Sequence, residues 1–302
     1  MSYDLLIIPK AYDANAIREH FASRRCYEVS ESQAGYGNDD TGVYFTFGFE
    51  DDRDASEDEQ RIGSHIAFNI NFYRPHIFAL EAEPEIAAFL ARFESAIVDP
   101  QNEGMGSGPY SRDGFVRGWN AGNRVAFKVM AEHGKSAPPW PADPALIEAI
   151  WKWNYGRKDL QKLAGEDVFV PRISWFQPED GAAPVPACTW TEHVPTMIPE
   201  NLVSHVALVR QPRRRSLLQS IGLAKPPVKP EFEIKLVGVK GVVHLVGMDR
   251  GDAHGNSVVY TPFEGPPATR AVFSGDWPEP EIRMVAAEHV CGADLIALTE
   301  KS

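Results

Sequence analysis

The sequence predicts an α+β protein. Three observations predict this class: two runs of strictly alternating apolar residues within the first 75 positions, apolar stripes at helical spacing around them, and short β-rich runs from Val168 onward. Runs with the period of a strand and runs with the period of a helix therefore occur in the same chain. We expect three segments: an acidic module at 1–100, a loop and helical connector at 101–165, and a β-rich domain at 166–302.

Within the first segment, each element has its own signal. The apolar run at 4–8 predicts a strand, and Asp13 is a suitable N-cap for a helix with one apolar face at 14–21. A hairpin follows. A second helix is predicted at 84–93, with Pro84 in its first turn, and a last short strand at 96–98. This order, βαββα(β), is that of a ferredoxin-like module.

The clearest single feature is an acidic hairpin. Strict alternation places eight apolar side chains on one sheet face, those of Val43, Phe45, Phe47, Phe49, Ile66, Phe68, Ile70 and Phe72. The connecting stretch EDDRDASEDEQ, residues 50–60, holds seven carboxylates and one arginine. The hairpin is therefore expected to present a buried aromatic face and a dense anionic tip.

The middle and C-terminal segments are less regular. The glycine cluster at 104–108 predicts a flexible connector, Ser111 an N-cap, and Asp143 with Pro144 the start of another helix. Glycines at spacing four in the helix after Ser111 would allow another backbone to approach closely. The run at 237–243 reads as a hairpin turn, and the run at 282–300 fits neither the helical nor the strand period.

The charge is unevenly distributed along the chain. Residues 1–100 carry 8 Lys and Arg against 19 Asp and Glu, a net of −11, whereas the remaining residues carry 22 against 23, a net of −1. Such a field repels nucleic acid and anionic membranes and attracts basic proteins. Neither nucleic acid nor a membrane is therefore expected as a partner.

The cysteines and the N-terminus indicate a cytoplasmic protein. Cys26, Cys188 and Cys291 are far apart and odd in number, which argues against a disulfide framework and a zinc ribbon. The N-terminus lacks the features of a signal peptide, and no run approaches the roughly 18 apolar residues of a membrane span.

One group of residues has the chemistry of a metal site. Asp249, Asp252 and His254 could supply carboxylate and imidazole ligands, with His193 or His244 added by the fold. Asp, Gly and Asn are also the residues that a tight hairpin turn uses for its own hydrogen bonds. We favour the turn, so no metal and no cofactor is expected, and the metal site is kept as an alternative.

Several smaller groups of residues are weaker candidates for a functional site. The Glu192–His193 pair would lie on opposite faces of a strand. If the segment at 289–291 is a strand, His289 and Cys291 share one face, as a Cys–His nucleophile requires. An arginine cluster could pair with the acidic hairpin or contact a partner, but solvation is favoured; it is formed by Arg210, Arg213, Arg214 and Arg215. In an aromatic cluster, Trp151 is assigned to the core, whereas Trp153 and Tyr155 could cap the junction of the two halves or belong to a binding surface. No catalytic residue is assigned.

The sequence therefore favours a non-catalytic protein that binds and neutralises a basic protein. An acidic tip on a rigid sheet steers association and can occupy a cationic cleft. In this character the chain is similar to bacterial immunity proteins, which implies a secreted toxin as the partner. The expected contacts are Asp51, Asp52, Asp54, Glu57, Asp58 and Glu59. The alternatives are a metal-dependent hydrolase using Asp249, Asp252, His254 and His193, and a self-associating scaffold.

Overall fold

The computed structural model describes residues 1–50, 63–101, 104–106, 108–133, 138–178, 180–210, 232–246, 249–253, 255–262, 267–275, 277 and 282–298. The chain is of the α+β class, as predicted, with helices and several separate sheets. Its contacts form two units, Met1–Glu148 with Ala287–Ser302, and Ala149–Ala286.

The first unit is built on a six-stranded antiparallel sheet in the order β2-β3-β4-β5-β1-β6. The elements are β1 (Ser2–Ile8), α1 (Ala14–Ala22), β2 (Tyr27–Val29), β3 (Gln33–Asn38), β4 (Val43–Glu50), β5 (His65–Asn71), α2 (Ile77–Phe93) and β6 (Ala96–Val98). Strands are found at each predicted position. β2 and β3 were not predicted, and they extend the sheet beyond β4.

The inner face of this sheet forms the core of the unit. Phe45, Phe47 and Phe68 are almost fully buried, as their alternation predicts. The ring of Phe47 lies 4.8 Å from that of Phe21 in α1 and 6.1 Å from that of Phe89 in α2. Aromatic side chains bury large areas, so these contacts fix both helices on one face of the sheet.

The ends of the helices follow the predictions in one case and not in the other. Asp13 caps α1, where its carboxylate accepts hydrogen bonds from the backbone N–H groups of Asn15 and Ala16 at 3.0 and 3.2 Å. The start predicted for α2 was wrong, because the helix begins at Ile77 and Pro84 lies inside it. Burial of the extra turns, which include Phe78 at 0 % exposure, outweighs the one hydrogen bond that proline cannot donate.

The helix α3 (Arg112–His133) packs through its glycines. A Cβ atom on Gly118 would lie 2.9 Å from Cα of Gly104 and 2.9 Å from Cζ of Tyr3, and one on Gly122 would lie within 3 Å of the Phe72 ring. The predicted close approach of another backbone is therefore confirmed, and Ser111 caps the helix by accepting from the Gly114 N–H at 3.0 Å.

Within the glycine cluster, the described residues Gly104 and Met105 are held by hydrogen bonds, whereas a flexible connector was expected. The carboxylate of Asp99, 1 % exposed, accepts the hydroxyl of Tyr3 at 2.6 Å. It also accepts the backbone N–H groups of Gly104 and Met105, each at 3.2 Å. Because Asp99 is buried and bonds both the loop and Tyr3 of β1, it links Gly104 and Met105 to the sheet.

The C-terminal residues return to the first unit. They form a 3₁₀ turn (Ala287–His289), β16 (Val290–Gly292) and α7 (Ala293–Ile296), and β16 pairs in parallel with β7 (Trp140–Ala142). Glu288 accepts the hydroxyl of Tyr44 at 2.7 Å and pairs with Arg74 at 2.9 Å. These long-range contacts give boundaries that differ from the three predicted segments.

The second unit holds the described remainder of the chain. It contains α4 (Pro144–Ala164) from Ala149 on, a five-stranded sheet in the order β12-β11-β9-β8-β15 and a three-stranded sheet in the order β10-β14-β13. The further elements are β8 (Ile173–Gln177), β9 (Val185–Thr191), β10 (Met197–Pro199), β11 (His205–Arg210), β12 (Glu233–Gly238), α5 (Val239–Val246), β13 (Asp249–Ala253), β14 (Asn256–Tyr260), α6 (Pro267–Val272) and β15 (Arg283–Val285).

Two predictions for the start of a helix and for a turn meet different outcomes. Asp143 caps α4, where its carboxylate accepts from the Ala145 N–H at 2.9 Å. The hairpin turn predicted at 237–243 was wrong, because α5 begins at Val239. Val239 and Val242 are 5 % and 3 % exposed and three residues apart, so a helical turn buries both, whereas a tight hairpin would expose at least one.

Candidate functional site

The base of the acidic hairpin is an ordered pair of strands. β4 and β5 pair from Thr46 opposite Asn69 to Glu50 opposite His65, so the chain leaves and re-enters the sheet at one end. The predicted contact residues Asp51, Asp52, Asp54, Glu57, Asp58 and Glu59 lie outside the described residues. The paired strands β4 and β5 therefore anchor the acidic segment at both of its ends.

Further acidic residues lie beside this anchor. The backbone N–H of Phe49 donates to the carbonyl of Ser32 at 2.8 Å, which places the β2–β3 connection next to the end of β4. Glu31 in that connection and Glu50 at the end of β4 are both exposed. The sequence analysis missed Glu31, because β2 and β3 were not assigned. The alternation of buried Ala34, Tyr36 and Asn38 is the signal that would have found β3.

The charge of the first unit is strongly negative over its whole sequence. Met1–Glu148 and Ala287–Ser302 contain 27 Asp and Glu against 14 Lys and Arg, a net of −13, whereas Ala149–Ala286 contains 15 against 16, a net of +1. The return of the C-terminal residues to the first unit thus concentrates the negative charge further. The acidic hairpin belongs to a unit that attracts cations as a whole.

A buried carboxylate holds the added strand β3 to the helix α2. Glu81 is 1 % exposed, and its Oε1 accepts the hydroxyl of Tyr36 at 2.7 Å, the amide of Asn38 at 2.7 Å and the hydroxyl of Thr41 at 3.0 Å. Hydrogen bonds to a carboxylate inside a protein are stronger than neutral ones. These buried hydrogen bonds therefore stabilise the part of the sheet that lies next to the acidic hairpin.

The residues of the alternative metal site are only partly described. The side chains of Asp249 and His254 lie outside the described residues. Asp252 lies in β13, and its carboxylate accepts the backbone N–H of Gly255 at 3.1 Å, which is the turn interaction that the sequence analysis favoured. His193 is largely exposed, with Nε2 3.9 Å from Oε1 of Glu192. Among the described residues, no three His, Cys, Asp or Glu side chains are grouped as metal ligands.

The structure does not assemble the Cys–His pair. Cys291 lies in β16 with its side chain buried, and burial raises the pKa of its thiol to about 12. His289 lies in the preceding 3₁₀ turn, largely exposed, with Nε2 3.8 Å from Oε1 of Glu288. A strand from 289 to 291 was the condition for a shared face, and that condition is not met. The buried thiol is a small apolar core residue.

This assignment predicts slow cysteine chemistry. Burial also raises the pKa of the Cys188 thiol to about 12, so at pH 8 the thiolate fraction of either buried cysteine is roughly 10⁻⁴. We expect iodoacetamide to modify the partly exposed Cys26 of the folded protein at least a hundredfold faster than Cys188 or Cys291. Peptide mass spectrometry with and without denaturant measures this difference. Rapid modification of Cys291 in the folded protein would contradict the assignment.

Arg210 is not solvated, contrary to the expectation for the arginine cluster. It is 3 % exposed, its Nη2 lies 2.6 Å from Oε2 of Glu233, and its Nη1 donates to the carbonyl of Phe273 at 2.6 Å. Its guanidinium also lies over the ring of Trp277, 4.0 Å from the centroid. A buried guanidinium needs such partners because its desolvation is costly. Arg213, Arg214 and Arg215 lie outside the described residues.

The aromatic cluster of α4 is oriented differently from the prediction. Trp153 is the core residue, 2 % exposed, and its indole N–H donates to the carbonyl of Pro171 at 2.9 Å. It shares the buried helix face with Ile150 and Leu160. Trp151 contacts the half-exposed Tyr155 with ring centroids 5.6 Å apart and the rings tilted by 38°. A cavity of about 310 Å³ lies on this helix, lined by Ala149, Lys152, Trp153, Gly156, Leu160 and Asn256.

No helix in the described part of the chain combines the length and the apolar character that crossing a membrane requires. Comparison with protein-family models, with curated proteins and with solved structures finds no match to this chain. The features of this chain that indicate a function are its charge, the acidic hairpin and the sheet that carries the hairpin.

Proposed function

We propose that this protein binds and neutralises a basic protein through its acidic hairpin, in the manner of a bacterial toxin-immunity protein acting in the cytoplasm. In this proposal the N-terminal module is ferredoxin-like. Without β2 and β3, the strands of the module in chain order are β1, β4, β5 and β6. Across the sheet they follow the order β6-β1-β5-β4, that is first the fourth strand, then the first, the third and the second, as in a ferredoxin-like sheet.

One observation carries the proposal: β4 and β5 stay paired up to Glu50 and His65, directly before the run of carboxylates. Their inner side is fixed by the aromatic core, so the chain enters and leaves the acidic segment from rigid positions. A charged segment anchored in this way loses less entropy on binding than a free tail. Electrostatic complementarity then accelerates association with a cationic surface.

The first experiment is capture of the partner. The tagged full-length chain is incubated with lysate of its own cells at 50 mM and 500 mM salt, and retained proteins are identified by mass spectrometry. We expect one stoichiometric protein of basic isoelectric point that is lost at the higher salt. Retention of an acidic protein, or retention that is insensitive to salt, would contradict the proposal.

A second prediction concerns the replacement of four carboxylates in the acidic stretch at 50–60. The variant Asp51→Asn, Asp52→Asn, Glu57→Gln, Asp58→Asn should bind the captured partner at least tenfold more weakly, mainly through slower association, because exposed charges steer encounters. Its melting temperature should be unchanged, since exposed charges contribute little to stability. Surface plasmon resonance at two salt concentrations gives both rate constants.

A matched control removes the same number of carboxylates elsewhere. Glu19, Glu132, Glu166 and Asp167 are exposed and lie outside the hairpin. Their replacement by Gln or Asn changes the net charge by the same amount. Equal loss of binding in the two quadruple variants would mean that total charge alone acts, and the hairpin would then have no specific role.

A further inference from the structure

The outer face of the six-stranded sheet carries a continuous row of side chains across five strands. The pairing places Glu28 opposite Gly35, Gly35 opposite Thr46, Thr46 opposite Asn69, and Asn69 opposite Asp4. Their neighbours along each strand face the core, so these residues point to the other side. All are partly or fully exposed. We call them the outer row.

The space above the outer row is open at β3. Among the described residues, a Cβ atom built on Gly35 meets only the carbonyl oxygen of Glu28, at 3.9 Å, and one built on Gly37 meets none within 4 Å. Most aromatic contacts of α1, α2 and α3 go to inner-face side chains such as Phe47 and Phe68, whereas Phe78 at the start of α2 contacts the outward Tyr44 with ring centroids 5.4 Å apart. A partner can therefore approach the backbone of β3 closely.

The strands of this face contribute only negative charge, and Arg74, which lies over the ring of the outward Tyr44, is paired with Glu288 at 2.9 Å. The residues of β1 to β6 include no Lys or Arg, whereas the outward positions include Asp4, Glu28 and Glu50. The carboxylate of Asp4 is held by the amide of Asn69 at 2.5 Å and by the hydroxyl of Ser2 at 3.0 Å. A carboxylate that is already oriented loses little freedom when it binds a cation. The open sheet face is thus complementary to a cationic surface.

We propose that the outer row is a docking surface for a Lys- and Arg-rich segment of the basic protein partner, which lies across the strands. This inference rests on the proposed function and extends it, since the partner would contact the sheet face in addition to the hairpin tip. The occupant is a cationic polypeptide, because the acidic face repels nucleic acid and anionic lipid.

The probe is a fluorescein-labelled decalysine peptide, and fluorescence anisotropy measures its affinity for the full-length chain at 100 mM salt. At that ionic strength the screening length is about 10 Å, so mainly local charges contribute. The variant Gly35→Lys adds a cation at the centre of the row. Its backbone is outside the left-handed region and its outward side is open, so the side chain fits. We expect about fivefold weaker binding.

The control for Gly35→Lys is Gly238→Lys, which adds the same charge to an exposed strand residue of the second unit. A Cβ atom at Gly238 also meets nothing within 4 Å. We expect this variant to bind decalysine within twofold of the unchanged protein. Equal weakening by the two lysines would overturn the inference, since position on the outer row would then not matter.

A second variant keeps the test decisive if Gly35→Lys disturbs β3. The pair Asp4→Asn and Glu28→Gln removes two carboxylates from the outer row, and its control, Glu166→Gln with Asp167→Asn, removes two exposed carboxylates from the second unit. We expect about threefold to tenfold weaker binding of decalysine by the first pair and less than a twofold change by the second.

The quadruple hairpin variant separates this inference from the proposed function. Weaker binding in both the hairpin and the outer-row variants supports both. Weaker binding in the hairpin variant alone overturns the outer row as a docking surface and leaves the proposed function standing. Weaker binding in the outer-row variants alone supports the outer row as a docking surface and shows that the hairpin carboxylates do not contribute to binding. If Gly35→Lys instead converts a dimer to a monomer in sedimentation, the face joins two copies and the inference is overturned.

Discussion

Replacement of Gly118 by Ala should destabilise the first unit by about 2 kcal/mol, even though alanine is the better helix former. The added Cβ would lie 2.9 Å from Cα of Gly104, a backbone atom that cannot rotate away. Overpacking of this kind costs about 3 kcal/mol, and the helix propensity of alanine returns about 1 kcal/mol. Urea denaturation followed by the fluorescence of the buried Trp119 measures the difference.

Gly156→Ala is the matched control, because Gly156 also lies within a helix and a Cβ atom there meets no described residue within 4 Å. Only the propensity term applies, so this variant should gain about 1 kcal/mol in the free energy of unfolding. The two substitutions are chemically identical and should have opposite signs. Stabilisation by both would show that α3 does not approach the loop at Gly104 closely.

Replacement of Glu233 by Ala should have a still larger effect in the second unit, about 3 kcal/mol. It removes the carboxylate 2.6 Å from Nη2 of Arg210 and leaves a guanidinium that is 3 % exposed. Removing one partner of a buried ion pair costs about 3–5 kcal/mol, and we take the lower end because Glu233 itself is 23 % exposed. Thermal denaturation by circular dichroism, with the calorimetric enthalpy, gives the change in stability.

The comparison for this prediction is Lys10→Ala. Lys10 pairs with Glu94 at the same 2.6 Å, but both side chains are more than 70 % exposed. Exposed pairs contribute about 0.5 kcal/mol, so the loss should be several times smaller than for Glu233→Ala. Equal losses would mean that Arg210 is not buried in solution.

The sequence predicted the hairpin well, because the alternation of its apolar residues is a local property. Phe45, Phe47 and Phe68 could be assigned to the core from their spacing alone. The strands β2 and β3 were missed since β2 has only three residues and β3 contains two glycines, which give weak local signals. Their place in the sheet depends on pairing with β4 and on the bonds to Glu81.

The sequence predicted the negative charge of the candidate site, but not which other residues lie beside it. The run of carboxylates is visible in the printed chain, whereas Asp4, Glu28 and Gly35 are far apart in sequence and become neighbours only through strand pairing. Arg210 was read as solvated because it opens a basic run, and its burial results from contacts with Glu233 and Phe273. Sequence neighbours do not indicate such contacts.

By itself, the sequence determined the α+β class, the amphipathic strands and helices, several helix caps and the concentration of negative charge in the N-terminal part. Each of these depends on residues within a few positions of one another. Only the tertiary structure decided the strand order, the return of Glu288 to Tyr44, 244 positions away in the chain, and the register that brings Glu28, Gly35 and Asp4 into one row. The physical reason is that such contacts depend on which apolar surfaces bury one another, and that choice is made by the whole chain.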